Sequence, residues 1–110
     1  MGVQQVQVSD VPSAFDESVV LLDVREDDEW QRGHAAGAQH IPMNEVPARI
    51  GEIDPRATLF VVCHLGGRSQ RVASYLAQNG YAPMNVSGGM QAWADAGRPV
   101  VTDGGGVGTV

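Results

Sequence analysis

The chain has 110 residues, 43 % of them hydrophobic, a formal net charge of −6, and seven basic residues that are all arginine. That length fits one domain, the apolar content excludes global disorder, and an acidic chain without a basic stripe excludes nucleic acid and anionic membrane surfaces as partners. No apolar stretch reaches the length of a bilayer span, and Met1-Gly2-Val3-Gln4-Gln5 lacks a secretory pattern, so a soluble cytoplasmic protein is expected.

Gln4 to Val8 alternates polar and apolar residues and predicts an edge strand. Ser9 or Asp10 is placed to cap a short helix with Pro12 in its first turn. Val19 to Val24 is a continuous apolar run ending in Asp23-Val24, as in a strand covered on both faces. Arg25 to Arg32 reads as a surface helix turning Trp30 inward and ended by Gly33. Gln39 to Ile41 predicts a short strand stopped by Pro42. Asn44 is expected to cap a helix running toward Ile50, and Asp54-Pro55-Arg56 is a turn. Thr58 to Val62 is the second fully apolar strand.

A helix from Arg68 to Asn79, closed by Gly80, follows with Val72, Ala73 and Leu76 on its buried face. Met84 to Val86 is a short strand, and Gly88-Gly89 leads into a helix from Met90 to Ala96 with Trp93 inward. From Thr102 the chain carries four glycines in nine residues, which predicts a domain over residues 1–101 and a flexible tail over 102–110. Strands alternating with helices imply a mostly parallel sheet with helices on both faces, and ligands in such folds bind beyond the carboxyl ends of the strands.

Cys63 is the only cysteine, so neither an internal disulfide nor a Cys-x-x-Cys site exists. It ends the second apolar strand and opens the loop Cys63-His64-Leu65-Gly66-Gly67-Arg68-Ser69 before a helix. A thiol at a strand end facing a helix N-terminus meets unpaired amides and the positive end of the helix dipole, and both favour the nucleophilic thiolate. Gly66 and Gly67 allow the loop to curl its amides inward. Arg68 and Arg71 flank the loop with no carboxylate between Cys63 and Gly80, which suggests a locally positive field and a small anionic substrate. Asp23 and Arg25, at the end of the first apolar strand, open onto the same crevice if the two strands are neighbours.

The loop form C-x-x-G-x-R-S is joined by Asp23-Val24-Arg25-Glu26, Trp30, Gly33-His34, Gly37-Ala38 and Ile41-Pro42 upstream. Downstream stand Gly80-Tyr81, Val86-Ser87-Gly88-Gly89-Met90-Gln91-Ala92-Trp93 and Gly97-Arg98-Pro99-Val100. In this order and spacing the chain, from about Val6 to Val100, resembles the rhodanese family of single-domain sulfurtransferases. The resemblance implies a three-layer α/β fold with a parallel five-stranded sheet flanked by helices. It also implies two-step transfer of a sulfane sulfur through a persulfide on Cys63, from thiosulfate or a persulfide donor to cyanide, a thiol or a partner protein, with no metal or organic cofactor.

The amides of His64, Leu65, Gly66, Gly67, Arg68 and Ser69 are the expected anion cradle, with Arg68 fixing the loop. Asp23 is expected to support the site, as a helix cap or a buried acceptor for Arg25 or for loop amides. Arg25 is either an anion contact or one half of a surface salt bridge with Glu29. His64 is expected to line the pocket mouth, His34 supports the fold, and His40 has no distinctive context. Cysteine-dependent phosphatases place one more residue between cysteine and arginine, so phosphatase or arsenate reductase chemistry stands second. The loop carries no cation between Cys63 and Arg68, which points to a protein persulfide as donor and to a sulfur-relay module as the alternative.

Overall fold

The computed structural model describes residues 3–110; Met1 and Gly2, counted with the domain above, lie outside them. Five strands, β1 (Gln4–Val6), β2 (Val19–Asp23), β3 (Gln39–His40), β4 (Thr58–Val62) and β5 (Pro83–Val86), form one sheet in the order β1-β5-β4-β2-β3. Every pairing is parallel. The helices are α1 (Asp27–Arg32), α2 (Val46–Arg49), α3 (Gly67–Gln78) and α4 (Gly89–Asp95). The two apolar runs are adjacent, with Asp23 in register with Val62, so the carboxyl ends of β2 and β4 open side by side.

The period-2 alternation of the central strands explains why they are apolar throughout. Leu59, Val61 and Cys63 face one way, into a core with Leu22, Val24, Val46, Val72, Ala73 and Leu76. Phe60 and Val62 face the other way, into a second core with Leu21, Val86, Met90 and Trp93. Helices α2 and α3 cover the first face and α4 the second, which gives three layers. Cys63 belongs to the face covered by α3.

Two expected helices differ. Residues after Asp10 form no helix; a single 3-10 turn spans Val8–Asp10. The carbonyls of Val11 and Pro12, which would have bonded along such a helix, accept instead from Arg98 (both 2.8 Å), whose guanidinium also reaches Val8 O while lying 3.8 Å over the Trp93 ring. The helix expected from Asn44 is broken into a 3-10 turn at Met43–Glu45, the one-turn α2 with Pro47 in its first turn, and a further 3-10 turn at Ile50–Glu52.

Residues 102–110, expected from composition to be a flexible tail, fold back on the body. Val101 bridges both His34 and Val107, Gly108 N–H donates to Val100 O (2.9 Å), and Thr109 N–H donates to Arg32 O (2.9 Å). This explains Gly33, which ends α1 in extended rather than left-handed backbone. A Cβ there would stand 2.5 Å from Thr109 O and 2.6 Å from Val100 Cγ1, so the chain needs a bare Cα where the tail crosses. Gly33→Ala is expected to dislodge the tail, read as loss of amide-exchange protection at Gly108 and Thr109 while protection in β4 persists.

Candidate active site

Cys63 leaves the central strand β4 and its loop returns as α3 at Gly67. The loop is held from outside by α4: Met90 N–H donates to Cys63 O (2.8 Å) and Gln91 N–H to His64 O (3.0 Å). In a trans peptide the N–H points opposite the preceding C=O. Pinning the His64 carbonyl outward therefore turns the Leu65 amide that follows it toward the sulfur. The approach is close because residue 89 is glycine; a Cβ there would stand 2.4 Å from Cys63 O and 2.5 Å from His64 O. Gly66 makes the turn itself, at φ 117°, in the left-handed region that glycine tolerates. Gly67 is different from expectation. Its φ is not positive, and a Cβ there would meet nothing within 4 Å, so it lines the pocket without being required by the turn.

The sulfur sits at the base of an open pocket of about 270 Å³ lined by Cys63, His64, Leu65, Gly67 and Arg68. Its Sγ accepts hydrogen bonds from Gly66 N–H (3.0 Å) and lies 3.3 Å from Ser69 Oγ. Burial pushes the Cys63 thiol up, but hydrogen bonding from the Ser69 hydroxyl and from the amides of Ser69, Gly66 and Leu65 outweighs it, and the thiol lies below its ordinary value. Among the described residues no hydrogen bond from the amides of His64, Gly67 or Arg68 reaches the sulfur. Of the six amides expected to form the cradle, that of Gly66 hydrogen-bonds the sulfur and those of Leu65 and Ser69 lower its pKa.

The arginines depart most from expectation. Arg25 is neither an anion contact nor a surface partner of Glu29; it is fully buried. Its Nε and NH2 donate to both oxygens of Asp23 (2.8–3.1 Å), and NH2 also donates to Gly33 O (2.7 Å). Asp23 additionally accepts the Arg25 amide (3.0 Å), so the pair ties the end of β2 to the end of α1. Arg68 turns to Glu29 of α1 with two bonds, NH1 to Oε1 (2.6 Å) and NH2 to Oε2 (2.9 Å). Arg68 thereby fixes α3 against α1, and its charge is compensated. Arg71 is exposed and lines a separate groove with Met43, Asn44, Val46, Pro47, Val72 and Tyr75.

The histidines lie away from the sulfur, apart from His64 at the pocket wall. His34 stacks on Trp30 at 3.6 Å, bonds Trp30 O through Nδ1 (2.8 Å), and sets Nε2 3.1 Å from Asp103. His40 does have a context: it stacks on the same indole at 4.6 Å and its Nε2 bonds Arg25 O (2.8 Å). Among the described residues no three His, Cys, Asp or Glu side chains are grouped to hold a metal, and no helix is long and apolar enough to cross a membrane.

Three contributors escaped the sequence reading. Glu29 was read only as a surface partner for Arg25, because its true partner, Arg68, lies 39 positions away. Gly89 was read as a helix lead-in, although its pairing with Gly88 signals a close backbone approach. Asn85 is nearly fully buried and accepts from the Ser69 hydroxyl at 2.6 Å; a polar residue between Met84 and Val86 in a buried strand was the available sign.

Comparison with known proteins agrees with this geometry. The family described as Rhodanese-like domain matches residues 8–96. A protein of Allochromatium vinosum named Sulfurtransferase is 37 % identical over 86 residues, covering 77 % of this chain and 80 % of that one. The Thiosulfate sulfurtransferase GlpE of Pseudomonas putida is 35 % identical over 78 residues, covering 70 % and 71 %. A crystal structure of a rhodanese-related protein from Thermoplasma volcanium superposes with a TM-score of 0.83 at 29 % identity, over 91 % of this chain and 99 % of that one. The chain belongs to the rhodanese-like domain family, and its small parallel α/β domain is a sulfurtransferase-family fold.

Two ion pairs give measurable consequences. Arg68 holds the Glu29 carboxyl down from 4.5 to about 2. The unfolded chain therefore takes up this proton first, and the pair's contribution is complete above the ordinary carboxylate range and lost as pH falls toward about 2. The difference in urea midpoint between the natural chain and Glu29→Gln is expected to be constant near neutrality and to close on acidification. Arg25→Met leaves the buried Asp23 unpaired and is expected to destabilise the fold by about 3–5 kcal/mol, measured by urea unfolding.

Proposed function

We propose that the protein transfers a sulfane sulfur through a persulfide on Cys63. The observation that carries this reading is the lone thiol, buried at the wall of a small open pocket, hydrogen-bonded by Gly66 N–H and 3.3 Å from the Ser69 hydroxyl. In the first half-reaction the Cys63 thiolate attacks the outer sulfur of a donor such as thiosulfate. The new bond forms as the donor's S–S bond breaks, and sulfite leaves with that electron pair. In the second, cyanide or a thiolate attacks the terminal sulfur, the Cys63 S–S bond breaks, and the thiolate returns. Each step develops or relocates negative charge on sulfur, which preorganised amides stabilise without rearranging. Two half-reactions through one covalent intermediate give ping-pong kinetics.

A persulfide-bearing protein as donor or acceptor, in a relay, is favoured by one further observation. The cation nearest the pocket, Arg68, is taken up by Glu29, and Leu65 at the mouth is 65 % exposed. A dianionic free donor finds little uncompensated charge there, whereas an exposed leucine suits contact with a protein surface. The same engagement of Arg68 disfavours phosphate-ester chemistry, which needs an arginine fork on the anion.

Intact mass after incubation with thiosulfate or with a persulfide-loaded protein tests the reading. A gain of about 32 Da, discharged by cyanide, is expected for the natural chain and not for Cys63→Ser. Undiminished transfer by folded Cys63→Ser would overturn the mechanism, and faster loading from the protein donor than from thiosulfate is expected if the relay holds.

A further inference from the structure

Ser69 has one hydroxyl hydrogen and three acceptors around it: Asn85 Oδ1 at 2.6 Å, Gly66 O at 3.2 Å and Cys63 Sγ at 3.3 Å. Ser69 and Asn85 are 0 % and 3 % exposed. The Asn85 amide is oriented from its far side, where Nδ2 donates to Gln5 Oε1 (2.9 Å) and faces Gly66 O at 3.4 Å. Gln5 is oriented in turn by donation from Nε2 to Gln70 Oε1 and toward Val3 O (3.4 Å). A flipped Asn85 would set its oxygen against two acceptors. The oxygen therefore points at Ser69, and the 2.6 Å contact is a donated hydrogen bond.

We infer that Asn85 is a positioning residue that holds the Ser69 hydroxyl hydrogen away from Cys63 while the sulfur is neutral and yields it as negative charge develops there. The hydrogen swings from Asn85 Oδ1 to Sγ about the Ser69 C–O bond. Each swing strengthens one acceptor and strands the other in a buried site. Asn85 thus opposes the thiolate by the value of the bond it must release. Its effect on catalysis rests on the sulfur-transfer reading: a thiolate that is overstabilised is a weaker nucleophile, because nucleophilicity falls with pKa.

Other charged or titratable groups around the sulfur are Arg68 on α3, paired with Glu29 of α1, His64 next in the chain, and the Asp23–Arg25 pair beside β4. Among the described residues none of them hydrogen-bonds Ser69 Oγ or the Asn85 side chain, so substitution at Asn85 leaves their contacts in place.

The test is the pH dependence of iodoacetamide alkylation at Cys63, the only thiol, in the full chain. Asn85→Leu frees the hydroxyl for sulfur. Its midpoint is expected to fall by about one pH unit, the value of one hydrogen bond to a charged group. Its plateau rate is expected to fall about threefold. Ser69→Ala is expected to raise the midpoint, and Asn85→Leu added to Ser69→Ala is expected to produce no further shift. A midpoint unmoved or raised in Asn85→Leu, or the same downward shift without the Ser69 hydroxyl, overturns the inference. If Asn85→Leu fails to fold by circular dichroism, Asn85→Val, smaller and strand-compatible, carries the same expectation and the same refutation. Persulfide mass measured in the same samples separates the two readings. A natural chain that forms no persulfide overturns sulfur transfer and leaves the midpoint comparison standing. An unmoved midpoint beside a normal persulfide overturns the role of Asn85 alone.

Discussion

The outward tether of two carbonyls is the constraint from which the site follows. Met90 and Gln91, at the start of α4, hold the oxygens of Cys63 and His64, and trans peptide geometry then turns the Leu65 amide, which follows the tethered His64 carbonyl, toward the sulfur. A side chain at residue 89 would stand inside van der Waals contact of both oxygens. The left-handed Gly66 completes the curl. The loop around the sulfur is therefore held through its backbone, by helix residues 27 positions beyond the carbonyls they bond.

The polarity of the site comes from dipoles more than from free charge. Arg25 and Arg68, which a reading of the chain places near an anion, each meet a carboxylate in two-point geometry. Asp23–Arg25 ties β2 to the end of α1, and Glu29–Arg68 ties α1 to α3. Both pairs hold the frame in which the thiol sits. What remains at the sulfur is a hydroxyl and inward amides, in a pocket with one exposed leucine at its edge. Under the proposed sulfur transfer, such a cavity would stabilise charge on a small sulfur species without advertising it at long range, because compensated pairs project little field.

Much of the fold is legible locally. The runs Val19–Val24 and Thr58–Val62 announce buried parallel strands because both faces of each are covered, and the structure divides their side chains between two cores. Helix α3 follows from its apolar spacing and its closing Gly80. Cys63 and its loop are legible for the same reason: a strand end, a glycine turn and a helix start are adjacent in sequence. Less legible are the segments whose hydrogen bonds are supplied from afar. The stretch after Asp10 yields its carbonyls to Arg98, and the glycine-rich stretch after Thr102 is secured by bonds to Val100 and Arg32. Composition reports the freedom of such a chain in isolation; it does not report partners across the molecule.

The sequence by itself determined the α/β order, the two central strands, and the placement of a lone thiol at a strand–loop–helix junction, since each depends on residues a few positions apart. Only the tertiary structure decided which amides face the sulfur, where each arginine spends its charge, and that Asn85 and Gln5 stand behind Ser69. The contacts Glu29–Arg68, Ser69–Asn85 and Asn85–Gln5 join residues 16 to 80 positions apart. A guanidinium or an amide bonds whichever acceptor the packed sheet brings within about 3 Å, and no local pattern encodes that encounter.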